Sequence, residues 1–500
     1  MPPTSASSPN QGESLIRDRG DACPGALRLH RADDGLLARL RLPGGLLTGH
    51  QATVLALAAE RLADGNLSIT SRGNIELRGL GDACGAELSA LLADAGLLPS
   101  ERHERVRNVV ASPLAGTDGT GHADVQLWAR ELDGLLCAED WTTQLSGRFL
   151  FVLDDGRGDV AGLGGDVTLI AESGGTALVG VEGPALRVAE RDAPRAALAA
   201  AKAFLTAATA AGNGAWRVTE LPAGTSVDLA AALAEAGIEA GAEARVEAAA
   251  RIEPGGGARG GAPVSGGGVL PDGSESRGGP SSVPGAARTG AAEAVLSGGS
   301  SSGVEGALPG GSSSRGEALP NPPEAGARGG VPEVGVVGGA VSVRASLGRV
   351  SVAQWRALLP LPADELRVTP WRGFVIPGFA DPAAARERLA VLDGAGLLTD
   401  PGSPWLGVGA CTGRPGCAKS LADVRADAVP GHGPLPVHWS GCERRCGHPH
   451  GDWVDVLATG DGTYEVTLHA GGSTVPVNGG GTLTETVTTA RTTTKPTATR

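Results

Sequence analysis

Four of the seven cysteines fall in one stretch, Gly409 to Pro449, which contains GACTGRPGC and then GCERRCGHP. They form a C-x5-C pair, Cys411 and Cys417, and a C-x3-C pair, Cys442 and Cys446. Two close thiolate pairs predict a metal centre. The Gly and Pro around them let the backbone turn sharply enough for several sulfurs to converge. Structural zinc usually takes C-x2-C to C-x4-C pairs, and the wider C-x5-C loop suits the larger iron–sulfur cube. Zinc and disulfide pairing stay open on spacing alone, although nothing in the chain points to secretion. The segment after Cys417, AKSLADVRADA, reads as a helix with Leu421 and Val424 on one face. A helix starting at Cys417 would aim its N-terminal N–H groups at an anionic cluster.

The elements that position this stretch follow from composition and pattern. Five hundred residues exceed one core and predict several units. The net charge of −13 argues against a nucleic-acid or anionic-membrane partner, while leaving room for a local cationic pocket. No run is long and apolar enough for a membrane span, and residues 1–20 lack the apolar core of a signal peptide. Clustered cysteines with metal-like spacing predict a reducing, cytoplasmic setting.

Residues 1–20 read as a disordered tail. Ala26–His30 and Leu36–Leu42 alternate around Asp33-Asp34-Gly35 and predict a hairpin. Thr48 caps a helix from about Gly49 to just before Gly65. Strands are predicted at Leu67–Thr70 and Ile75–Leu77, and a helix at Gly85–Ala95. This is an α+β unit with an antiparallel sheet. A helix at Ala123–Leu136 and strands at Arg148–Leu153, Asp159–Ala161 and Val167–Ala171 follow, with Gly162-Leu163-Gly164 read as a hairpin turn. Helices are expected at Pro194–Ala210 and Val227–Ala236. Residues 253–332 are Gly/Ser/Pro-rich and read as a linker. The first pattern then returns: strands in Val334–Leu347, a helix at Ser351–Leu358, and RVTPWRGFVI against SITSRGNIEL, pairing Arg72-Gly73 with Arg372-Gly373. A helix at Leu389–Leu398 precedes the cysteines. Strands at Trp453–Leu457 and Tyr464–His469 come after them, and residues 472–500 read as a second disordered tail.

The cysteine pairs, RLPGG at Arg41–Gly45, T-x-R at Thr70 and Arg72, and R-N-V from Arg107 together resemble the nitrite/sulfite reductase family. The resemblance implies an α+β, duplicated fold. Ferredoxin-like half-domains at 21–100 and 333–400 would each be followed by an α+β domain, at 101–252 without cluster cysteines and at 401–471 with them. It implies a [4Fe–4S] cluster on Cys411, Cys417, Cys442 and Cys446. It implies a tetrapyrrole whose carboxylates meet Arg39, Arg41, Arg72, Arg107 and Asn108; Arg148 takes the place of a lysine that serves the bound anion, and the repeat adds Arg372, with Trp371, as a residue lining the pocket or buried under a strand turn. Sulfite reductases carry two lysines where this chain has Arg148 and Leu150, so one of the two cations is missing. That departure, with the opening CPGALRLH and T-P-W-R-G at Thr369–Gly373, resembles the subgroup that takes a precorrin as substrate. Membership would imply a monooxygenase: O2-dependent hydroxylation of precorrin-3A at C20, lactone formation, a mononuclear non-haem iron besides the cluster, and an electron donor such as an NADH-derived reductase or ferredoxin. His432, His438, His448 and His450 lie near the cysteines, and none is assigned as a ligand. The other readings are a sirohaem-dependent nitrite or sulfite reductase and a non-enzymatic binding protein with a four-cysteine zinc site.

Overall fold

The computed structural model describes residues 23–181, 184–241, 243–244, 330–449, 451–477 and 481–493. The expected tail 1–20 and residues 253–329 of the expected linker lie outside them. Two five-stranded sheets carry the half-domain pattern. In the first, β1 (His30–Ala32), β2 (Gly35–Leu40), β5 (Ile75–Leu80) and β4 (Asn66–Ile69) are joined at the edge by β14 (Arg349–Ser351) from the second copy. In the other, β12 (Gly335–Val337), β13 (Ala340–Arg344), β16 (Gly373–Pro377) and β15 (Leu366–Thr369) receive β3 (Leu46–Leu47) from the first copy. Each copy thus completes its partner's sheet, and one core runs through both.

The repeat reaches the helix caps. Thr48 and Gln51 form a capping box on α1 (Gly49–Leu62), and Ser351 and Gln354 form one on α6 (Val352–Ala357). Gln51 then reaches the carbonyl of Ala95 after α2 (Gly85–Asp94), and Gln354 reaches that of Gly396 after α7 (Pro382–Gly394), both at 3.2 Å. Buried Trp355 ties the copies together by donating its indole N–H to the carbonyl of Ala52 at 2.7 Å.

Three readings are corrected here. The first strand begins only at His30, because the N–H groups of Leu27 and Arg28 go to the Glu104 carboxylate. The helix expected at Leu389–Leu398 is α7, which starts earlier because Asp381 caps it and Pro382 opens it. Arg372 does not correspond to Arg72. Gly73 N–H donates to Thr70 O and Arg372 N–H donates to Thr369 O, each at 3.1 Å, with φ of 68° and 60°. Arg372 therefore stands at the left-handed position of Gly73, and Trp371 takes the place of Arg72.

The other two sheets share a second pattern. One runs β6 (Val109–Ala111), β7 (Phe151–Asp154), β8 (Val167–Glu172), β9 (Thr176–Val181), β10 (Ala185–Ala189) and β11 (Glu243–Ala244). The other runs β17 (Val408–Ala410), β18 (Val437–Ser440), β19 (Trp453–Gly460), β20 (Thr463–Ala470) and β21 (Ser473–Pro476). In both, the first three strands are parallel and the next pair antiparallel. Helices α3 (Val125–Ala138), α4 (Ala193–Ala211) and α5 (Leu229–Glu235) pack in the core of the former, around Phe149, Phe151 and Phe204.

Here too the chain departs from expectation. Asp159–Ala161 is not a strand. The Asp154 carboxylate accepts the N–H groups of Gly156, Gly158, Val160 and Ala161 and wraps that segment into a loop. Gly162–Gly164 lies in a crossover between parallel β7 and β8, not in a hairpin. Residues 472–500 are not simply a tail, since β21 and α9 (Leu483–Thr492) fold onto the sheet. There buried Arg491 donates to the carbonyls of Leu406 and Leu435, at 2.9 and 2.8 Å, and also to those of Gly431 and Gly433.

Candidate functional site

Cys411 follows β17 directly, and Cys442 lies just past the end of β18. Because these strands are parallel neighbours, their carboxyl ends bring both cysteine motifs together. Cross-bonds fix the arrangement: Cys411 N–H to Trp439 O at 3.0 Å, Leu421 N–H to Gly441 O at 2.8 Å, and Gly441 N–H to Cys411 Sγ at 3.2 Å. The expected helix from Cys417 is absent. Only α8 (Val424–Asp427) is helical, capped by Asp423, because the amides before it are spent tying one loop to the other.

All four are free thiols. Burial pushes the Cys411 thiol up, and the charges of Cys446 and Cys442 add to it. Cys446 is likewise raised by burial and then by Cys442 and Cys417, although Arg444 opposes this. The four groups thus share one field. Yet no three of the sulfurs lie within 4.8 Å of one another. One tetrahedral zinc, with Zn–S near 2.3 Å, would hold its sulfurs about 3.8 Å apart. The opening suits a larger anionic group, and the N–H donated to sulfur and the cations nearby suit it too. Arg425 donates to Cys411 O at 3.0 Å and is pushed down to about 10 by burial and by Arg349, Arg372 and Arg78.

The half-domain sheet forms a basic floor beside these loops. Its register sets Arg349, Ser68, Glu76 and Arg39 side by side across four strands. Arg78, two residues on from Glu76, shares that face. It grips Asp34 at 2.9 Å and donates to Gly416 O, inside the C-x5-C loop, at 2.8 Å. Arg39 is paired with Glu76. Arg41 donates to the carbonyls of Gly147 and Arg105 at 2.9 and 3.3 Å, and is pushed down to about 9 by burial, then by Arg39 and Arg72. Arg72 donates to Arg148 O at 3.2 Å and is pushed down to about 10 by burial and Arg217. Arg148 is exposed, its guanidinium 4.9 Å from the centre of the Trp216 ring.

Arg107 and Asn108 do not join this group. Arg107 is buried in a two-bond pair with Asp133 at 2.6 and 2.7 Å. Asn108 bonds Phe149 O at 3.0 Å and Asn74 at 3.1 Å. Both hold the fold together.

A cavity of about 640 Å³ lies beside both regions, although neither the four cysteines nor Arg39, Arg41, Arg72 and Arg148 line it. Its wall includes Ser71, next to Arg72, and Gly447, next to Cys446, with Trp371, Trp405 and His438. Three guanidinium groups line it: Arg344, Arg372 and Arg491. Their hydrogen bonds go to backbone carbonyls: Trp371 and Pro332 for Arg344, Gly447 for Arg372, and the four named above for Arg491. None of the three has a carboxylate partner among the described residues. Gly348 has no side chain where the Arg372 stem packs. Burial pushes Arg344 down to about 10. His438 is pushed down to about 3 by burial and by Arg372, so it is neutral; Nε2 donates to Cys446 O at 3.0 Å, and buried Nδ1 has no partner. Arg344 is the second copy's Arg41, a signal that aligning the repeats supplies. Arg491 carries no such signal.

Residues 28–95 match the family described as the nitrite/sulfite reductase ferredoxin-like half domain. Precorrin-3B synthase of Sinorhizobium sp is 34% identical over 155 residues, 31% of this chain and 33% of that protein. Ferredoxin–nitrite reductase of Leptolyngbya laminosa is 34% identical over 102 residues, 20% of each chain. The Synechococcus elongatus enzyme of the same name is 33% identical over 127 residues, 24% of this chain and 25% of that one. The matches span a third or less of these relatives' length. The structure of the Mycobacterium tuberculosis NirA protein aligns with a TM-score of 0.54 at 18% identity, over 89% of this chain and 76% of that one, a likeness of fold. Among the described residues, no helix is long and apolar enough to cross a membrane.

Proposed function

We propose that this chain, which shares the nitrite/sulfite reductase fold, is an iron–sulfur oxidoreductase acting on a carboxylate-rimmed tetrapyrrole, and that its reaction is the O2-dependent hydroxylation of precorrin-3A at C20 with lactone formation. The observation that carries the reading is a cavity whose wall includes both Ser71 of the arginine turn and Gly447 of the cysteine loop. Cys411, Cys417, Cys442 and Cys446 would hold the [4Fe–4S] cluster, which supplies single electrons when bound. Arg39, Arg41, Arg72, Arg148 and Arg372 are the proposed contacts for the macrocycle's acetates and propionates, joined by Arg344 and Arg491. Arginine suits this because its fork binds carboxylate through two parallel bonds and stays charged.

The chain's own residues set what the site can do. Trp371 and Trp405 give it flat apolar walls, which orient a macrocycle and exclude water. Leu150 packs with Val110, Val152 and Val160, against Trp371, and offers no proton. A site that must hand several protons to a small anion is poorly served by that wall. In the proposed reaction one oxygen atom of O2 enters the substrate and the other leaves as water, with two electrons and two protons from an external donor.

The matches to nitrite reductases support a second reading, a sirohaem-dependent reductase. Incubation with precorrin-3A, a reductant and labelled O2 separates them. One labelled oxygen atom in the product is expected. Nitrite or sulfite consumption with no oxygen uptake would overturn the proposal.

A further inference from the structure

The loop from Asn213 to Leu221 carries no motif, yet it is rigidly built. Asn213 donates to Glu220 O at 2.7 Å and accepts from Ala215 N–H at 3.2 Å. The Glu220 carboxylate accepts the N–H groups of Trp216 and Arg217 at 2.8 and 3.3 Å. Asp166 then anchors the loop, accepting Val218 N–H at 2.8 Å and Arg217 Nε at 2.6 Å. The oxygen that takes Arg217 also takes Leu150 N–H at 2.8 Å. One buried carboxylate thus fixes two segments together, the one bearing Arg148 and the one bearing Trp216 and Arg217.

Arg72 reaches the same place, donating to Arg148 O at 3.2 Å, so the fixed loop gathers cations. Arg217 is the leading neighbouring charge on Arg72, and Arg39 acts on Arg72 as well. The guanidinium groups of Arg39, Arg41, Arg72, Arg148 and Arg217 outnumber the carboxylates of Glu76 and Asp166 among them. A residue needed only to satisfy Asp166 need not be a cation held against another cation, since the carboxylate already has two backbone donors. Arg217 also keeps Nη1 without a hydrogen bond among the described residues, while Nε and Nη2 are used. A group presented so rigidly loses little freedom on binding.

We infer that Arg217 forms a carboxylate subsite of the tetrapyrrole pocket, reading the same macrocycle edge as Arg72, with Trp216 and Arg148 as its flat side wall. This rests on the tetrapyrrole reading above. The test is fluorescence titration of the full chain, as isolated, with uroporphyrin, a metal-free macrocycle bearing an acetate and a propionate on every ring. Its uncharged methyl ester is the control. Arg217→Gln is expected to weaken uroporphyrin binding roughly tenfold or more, as loss of a charge-assisted bond implies, and to flatten its salt dependence. Arg217→Lys should recover part of the affinity, and ester binding should not change. If Arg72→Ala weakens binding and Arg217→Gln does not, the subsite is wrong and the pocket stands. If neither does, the pocket itself is wrong. Should Arg217→Gln fail to fold, Arg217→Lys still decides: several-fold weaker binding supports the subsite, and unchanged binding overturns it.

Discussion

At the carboxyl ends of β6 and β7 stand Ser112 and Asp155; at those of β17 and β18 stand Cys411 and Gly441. The backbone contact is the same in both copies. Asp155 N–H donates to Ser112 Oγ at 3.1 Å, and Gly441 N–H donates to Cys411 Sγ at 3.2 Å. The surroundings differ. In the first copy Asp154 takes four backbone N–H groups, Arg157 bridges Asp155 and Asp118, and Ser112 donates to Asp159 at 2.6 Å. Most of its polar groups answer one another, although buried Asp159 Oδ2 has no partner. Around the second copy's loops Arg445 pairs with Asp455 and Arg78 with Asp34, while Arg372 and Arg425 donate to backbone carbonyls beside the four thiols and have no carboxylate partner among the described residues. One scaffold carries a carboxylate-bound loop in one copy and, in the function proposed above, a binding site in the other. What differs is whether the loop bears carboxylates that take up backbone amides or thiols that leave them to cross-bonds between loops.

The largest effect should come from the cysteine-bearing copy. Cys442→Ser or Cys446→Ser should abolish iron and acid-labile sulfide together with activity, while Cys23→Ser leaves both; metal analysis checks this. Arg372→Gly should come next. It removes a cation from the cavity wall, so uroporphyrin binding should fall roughly tenfold. It also restores glycine at a left-handed position, worth roughly 1–2 kcal/mol of relieved strain, so the melting temperature should not drop in step. A parallel loss of stability and binding would contradict a binding role.

The carboxylate-bound copy should show its character in pH dependence. Asp159 is pushed up to about 7 by burial, then by the charge of Asp154, against the bond from Ser112; Asp155 raises it and Arg157 lowers it. The folded chain therefore keeps a proton that the unfolded chain releases near pH 4. Stability should fall as pH rises from about 4 to about 7 and then level off. Asp159→Asn should remove that slope and be the more stable form at pH 8, by denaturant titration. The smallest effect is Leu347→Gly. Leu347 sits at φ 52° where the first copy has Gly44 at φ 65°. A gain of about 1 kcal/mol is expected, and a loss would show that its contacts with the cysteine-bearing core outweigh the strain.

Much of the architecture was legible because local chemistry carries it. Thr48 and Ser351 mark helix starts, the alternating runs mark β4, β5, β19 and β20, and the cysteine pairs mark the loops that come together after β17 and β18. What was not legible depends on distant partners. The carboxylates of Glu104 and Asp154 claim amides that would otherwise extend strands. Exchange of β3 and β14 between the copies leaves no trace in either segment alone. Arg107 resembled a pocket residue until Asp133 appeared beside it. Arg491 sits in a Thr-rich stretch that gave no hint of a buried helix.

The most direct measurement is metal content and absorption of the anaerobically purified protein. Iron together with acid-labile sulfide, iron equal to or slightly above sulfide, without sirohaem bands, is the predicted result. Zinc alone, or a strong sirohaem spectrum, would contradict a cluster serving a tetrapyrrole that arrives as substrate.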